Sequence, residues 1–166
     1  MSGPDHAPDI DILLDAPGWS NLPEAKTRVE AAALAALIHC ADLSARPLEM
    51  AITLTDDARI RVLNRDWRGK DQPTNVLSFP AAEVPPEVSP EPLGDVIVAL
   101  ETVLREAAQE NKAPLDHLSH LVVHGTLHLL GYDHEQDDEA EEMEQTERLI
   151  LQVLGIADPY ALPVET

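Results

Sequence analysis

The segment 114–130 constrains this chain more than any other. Leu118, Leu121, Val122, Leu127, Leu129 and Leu130 leave a helix opened by Pro114 apolar nearly all round. A helix with no face to give to water belongs in the centre of its domain. Yet this one carries His124 and His128, and His134 follows just beyond its end, in HGTLHLLGYDH. Imidazoles four residues apart share a helix face, about 6 Å apart along the axis, so both can aim a nitrogen at one ion. Gly131 can end the helix in a left-handed turn and swing His134 back as a third ligand. Three nitrogens with one open position suit a catalytic zinc site better than a structural one, which normally closes with four ligands and favours cysteine. Unrelated histidines would be the natural reading of one alone; three, with a glycine at the bend, point to a metal.

The spacing reproduces the zinc-protease pattern H-E-x-x-H-x-x-G-x-x-H, except that Gly125 stands where the glutamate base should be. The ligand cage is kept and the protease base is gone. Lewis-acid polarisation and activation of a water suit attack on a phosphodiester. A metalloprotease with an unorthodox base and a non-enzymatic assembly factor with a structural metal remain as rivals.

Strand and helix signals alternate irregularly in the order β-α-β-α-β-β-α-α-α. Strands are expected at 10–15, 48–55, 74–79 and 95–100, and helices from Pro23 to about 41, 57–65, 101–112, 114–131 and 137–154. The prolines of AAEVPPEVSPEPLG demand an exposed loop. This order predicts an α+β fold, a mixed four-stranded sheet packed with about five helices. The length, 166 residues, suits one domain over 9–160 behind a loose tail at 1–8. Cys40 has no partner for a disulfide and reads as a small buried thiol. Residues 1–9 show no signal peptide, and the longest apolar run, 31–38, is too short to cross a bilayer, so a cytoplasmic protein without membrane attachment is expected.

A net charge of −20 excludes indiscriminate nucleic-acid binding. The basic residues are nevertheless clustered: Arg59, Arg61, Arg65, Arg68 and Lys70 fall within 59–70, while acids crowd 135–147, read mostly as a solvated helix face. The strong acidity also suggests protein partners with basic surfaces.

HGTLHLLGYDH, the segment NRDWRGKDQPTNVLSFP and the short LGDV together resemble the YbeY endoribonucleases, the bacterial rRNA maturation factors. Through its motifs the resemblance spans roughly 48–160. It implies a single-strand-specific, metal-dependent endoribonuclease, usually assigned one zinc ion, acting in 16S rRNA 3′-end maturation and ribosome quality control. Its partners would be single-stranded precursor RNA and the ribosome or its proteins. It also implies that His124, His128 and His134 are the ligands and Arg68 the functional arginine.

Read on its own, Arg68 sits in a DWRGKD loop, able either to grip phosphate oxygens or to pair with a surface acid. Arg65 and Lys70 are candidate RNA-backbone contacts, with solubilising charge as the alternative. Trp67 reads as half-buried packing before base stacking. Asn75 and Ser78 line the cleft or close strand-end hydrogen bonds. His120 takes an outer or packing role, because about 12 Å of helix separates it from His128. His117 is expected to be partly exposed. Asp133 either orients an imidazole, accepts a proton or caps the last helix.

Overall fold

The computed structural model describes residues 7–160. Four strands, β1 (Asp9–Leu14), β2 (Leu48–Thr55), β3 (Val76–Pro80) and β4 (Glu91–Ala99), form one sheet in the order β1-β2-β4-β3. The pairs β1–β2 and β2–β4 are parallel, and β3 runs antiparallel to β4 at the edge. Five α-helices accompany the sheet: α1 (Ala25–Cys40), α2 (Asp57–Arg68), α3 (Leu100–Gln109), α4 (Pro114–Leu129) and α5 (Asp137–Val153). The fold is α+β with a mixed four-stranded sheet, as the element order predicts.

Met50, Ile52 and Leu54 of β2 and Val96 and Val98 of β4 point to one face, where they meet α1 and α4. Ala32, Ala33 and Ala36 of α1 are fully buried there. Their short side chains let α4 approach closely, and α1–α4 is the most extensive helix–helix contact. Leu118, Leu121, Val122, Val123 and Leu127 of α4 complete this core, and α4 also touches α3, α5, β3 and β4. Each such leucine or valine contributes roughly 1.5–3 kcal/mol on leaving water. The opposite face holds a smaller cluster of Ile60, Leu77 and Ala99, with Leu63, Phe79 and Ile97 against it. That cluster seats α2. The Asp56 side chain caps α2 by accepting from the Arg59 N–H at 2.9 Å, and Asp57 accepts from the Thr102 hydroxyl of α3 at 2.7 Å.

Several boundaries differ from expectation, three of them with structural consequences. A 3-10 turn at Pro17–Asn21 precedes α1 and buries Trp19, whose indole N–H donates to the Thr55 carbonyl at 2.8 Å. The strand β4 starts at Glu91 rather than 95, so EPLG belongs to the sheet. Pro92 is tolerated because the register slips there: Glu49 faces Pro92, Met50 faces Gly94, and Leu93 is the extra residue of a bulge. Helix α2 continues to Arg68, which is therefore helical and not in a loop. Among the described residues, no helix is long and apolar enough to cross a membrane.

Candidate metal centre

The C-terminal end of α4 is built to turn. Gly131 adopts φ 101°, its N–H donates to the His128 carbonyl at 3.1 Å, and the Tyr132 N–H reaches back to the Leu127 carbonyl at 3.0 Å. This is the paired hydrogen bonding of a Schellman cap, which favours a glycine at that position. The chain then doubles back, and the Asp133 carboxylate accepts the His134 N–H at 2.7 Å. His134 is thereby brought beside the helix: its ring centroid lies 5.1 Å from that of His128 and 5.8 Å from that of His124.

One nitrogen from each of His124, His128 and His134 lies within 4.8 Å of the others. The Nε2 atoms of His124 and His128 are 3.1 Å apart. Two nitrogens sharing a tetrahedral zinc at about 2.0–2.1 Å would stand roughly 3.3 Å apart, so the donor set fits such an ion. Burial, followed by the neighbouring His124 and His134, holds the His128 imidazole below its ordinary pKa. A neutral ring keeps the lone pair that ligation needs.

Behind these rings lies a side chain not singled out from the sequence. Glu147 of α5 is 1% exposed. His120 Nε2 donates to its Oε1 at 2.6 Å, the Tyr160 hydroxyl donates at 3.0 Å, and His124 Nδ1 stands 3.4 Å away. Burial pushes the Glu147 carboxyl up, but the hydrogen bonds and charges of His120 and His124 outweigh it and bring the pKa to about 2. His117, expected to be partly exposed, is buried instead, with Nε2 2.9 Å from Glu106 Oε1. A carboxylate on α3 makes that burial affordable.

The histidines open into a cavity of about 770 Å³. Arg68 reaches its wall from the last turn of α2, and among the described residues no other lysine or arginine lines it. Arg68 forms no ion pair among the described residues, so the surface-pair alternative is not realised there. Arg65 pairs with Asp66 at 3.0 Å; it and Lys70 are exposed near the same end of α2 but do not line the cavity. Asn75 and Ser78 do both things expected of them. They line the cavity while Asn75 Oδ1 accepts the Val76 N–H at the start of β3 at 2.6 Å and Ser78 Oγ donates to the Gly125 carbonyl at 3.0 Å; Asn75 Nδ2 also donates to Glu106 at 3.0 Å. Asp133 also lines the cavity and does not cap α5, whose N-cap is Gln136. Trp67 is 71% exposed rather than half-buried: it lies outside the small α2 cluster, with its ring centroid 5.9 Å from that of Phe79 in a T-shaped arrangement.

The sequence family described as Endoribonuclease YbeY matches residues 20–155. A protein named Endoribonuclease YbeY from Azorhizobium caulinodans is 66% identical over 157 residues, covering 95% of this chain and 99% of the relative. The chain belongs to the YbeY endoribonuclease family. Another relative of that name, from Allorhizobium ampelinum, is 48% identical over 162 residues, covering 92% of this chain and 95% of its own. A solution structure from Thermotoga maritima is similar at 30% identity and a TM-score of 0.56, covering 86% of this chain and 87% of that one.

Within this YbeY-family chain the fold also accounts for the missing protease glutamate. A Cβ on Gly125 would lie 2.8 Å from Val96 Cγ1 and 3.1 Å from Ser78 Oγ. The position after the first histidine faces the sheet and leaves no room for a glutamate side chain.

Proposed function

We propose that this chain is a single-strand-specific, zinc-dependent endoribonuclease, formed by residues 9–160, that acts in the cytoplasm on the 16S rRNA 3′ end and in ribosome quality control. The observation that carries the reading is the convergence of His124, His128 and His134 on a cavity whose only lysine or arginine, among the described residues, is Arg68. Family membership supports the RNA substrate, and the all-imidazole donor set supports zinc. A bound zinc ion supplies Lewis-acid polarisation of phosphate and activation of a water. The chain's own residues do the rest. Arg68 holds the scissile phosphate and offsets the charge that grows on its oxygens. Its place matters in a molecule of net charge −20, where Glu106, Glu110, Asp133 and Glu135 line the same cavity and repel a phosphate backbone. Those acids deter loose binding of RNA, and Arg65 and Lys70 guide the strand towards the opening. An unpaired strand can bend one phosphate into such a recess, whereas a stiff duplex cannot.

The test is cleavage of single-stranded and duplex RNA by the parent and by Arg68→Ala. The parent should cut only the single strand, lose activity to a chelator and regain it with zinc. Arg68→Ala should lower kcat/KM about 100- to 1,000-fold while binding zinc as the parent does. Undiminished cleavage by zinc-free protein would overturn the proposal.

A further inference from the structure

A carboxylate that is 1% exposed is costly unless its oxygens are engaged, and those of Glu147 are. Besides the 2.6 Å bond from His120, the Tyr160 hydroxyl lies 3.0 Å from Oε1 and 3.2 Å from Oε2, and His124 Nδ1 stands 3.4 and 3.5 Å from the two oxygens. The same imidazole turns its other nitrogen, Nε2, towards His128 and the cavity. A neutral imidazole carries one proton, and the nitrogen that keeps it cannot bind a metal.

We infer that Glu147 is a positioning residue for the metal centre: it keeps the His124 proton on Nδ1 and so frees the Nε2 lone pair for the ion. His120 and Tyr160 pin the carboxylate from the far side, so that it cannot rotate away from His124. The Tyr160 hydroxyl ties the end of the described chain to the same oxygens. A bound ion would make the Nδ1 proton a stronger donor towards Glu147. The acidic helix α5 therefore serves the site from behind, through its one acid that faces inward.

This inference rests on the metal reading, and two measurements separate their failures. The first is zinc affinity, by competition with a chromophoric chelator, for the parent, Glu147→Gln and Tyr160→Phe. Glu147→Gln keeps the volume but offers one acceptor in place of two, and should bind zinc about 10- to 100-fold more weakly. Tyr160→Phe removes one tether and should lose only a few-fold. The second is the 15N imidazole spectrum of the zinc-free protein near about pH 8, where histidines are mostly neutral. His124 should carry its proton on Nδ1 in the parent and shift towards Nε2 in Glu147→Gln. A folded Glu147→Gln with parental affinity and an unchanged tautomer overturns the inference. Should that variant not fold, a parent His124 protonated on Nε2 overturns it equally, and one protonated on Nδ1 supports it. A parent that binds no zinc through its histidines sinks the metal reading instead, while the spectrum still decides the role of Glu147.

Discussion

Two halves of one helical stripe meet opposite fates in this molecule. His117 and His120, in the first half of α4, are turned onto the carboxylates of Glu106 and Glu147. His124 and His128, one and two turns on, face each other across 3.1 Å, with His134 folded over them. Residue type and helix face are the same, so neither separates the halves. The difference is what the neighbouring helices supply. Where α3 and α5 offer an acid, the imidazole is consumed as a hydrogen-bond donor. Where the chain turns at Gly131, no acid is offered to the inner nitrogens and their lone pairs remain available. His124 belongs to both halves, with Nδ1 on the acid side and Nε2 on the open side.

Substitution in each half tests that division most sharply. His128→Ala should weaken zinc binding by more than about 100-fold, beyond the range for outer partners, and abolish RNA cleavage. His117→Leu should leave zinc affinity within a few-fold of the parent and instead cost about 1–3 kcal/mol of stability in chemical denaturation, since it strips a buried donor from Glu106. Equal losses of affinity in the two variants would erase the distinction. A smaller effect is expected from acid. Folding depresses the Glu147 carboxyl from 4.5 to about 2, so its contribution to stability is fully present above the unfolded value. It is lost as the pH falls from about 4.5 towards 2. Zinc-free parent should lose stability over that window more steeply than Glu147→Gln, as followed by circular dichroism.

Much of this was legible along the chain because local rules dominate there. The spacing of His124 and His128 and the glycine at 131 are short-range features, and the observed turn has the positive φ that such a glycine permits. The α+β class followed from element order. Less visible were features that depend on a neighbour distant in sequence. Glu147 lay inside an acidic run and read as solvated, although Met143, Ile150 and Leu151 are buried on the same helix. An acid spaced among those residues at helical intervals is the signal that would have marked it. The burial of His117 is hidden for a similar reason: its partner Glu106 sits on another helix. Trp67 erred in the other direction, because aromatic residues are usually covered and only the place where the α2 cluster ends shows that this one is not. The early start of β4 required a bulge, which depends on the register with β2.

Gly125 offers the smallest effect and tests the back of the stripe. It lies between the two open-half ligands but faces the sheet, with its carbonyl accepting from Ser78 and Val96 close behind. Gly125→Ala would place a methyl 2.8 Å from Val96 Cγ1. Val96 is fully buried in the main core, and its β-branched side chain has little freedom to retreat. Overpacking of this kind costs about 1–3 kcal/mol, and the better helix propensity of alanine returns about 1. From the middle of that range a net loss of about 1 kcal/mol is expected in denaturant titrations, with zinc affinity close to that of the parent because no ligand moves. Gly125→Glu should be far more disruptive, since it forces a charge into the same gap. If Gly125→Ala proved as stable as the parent, the sheet would have room behind α4. The absence of the protease glutamate would then need a chemical reason rather than a steric one.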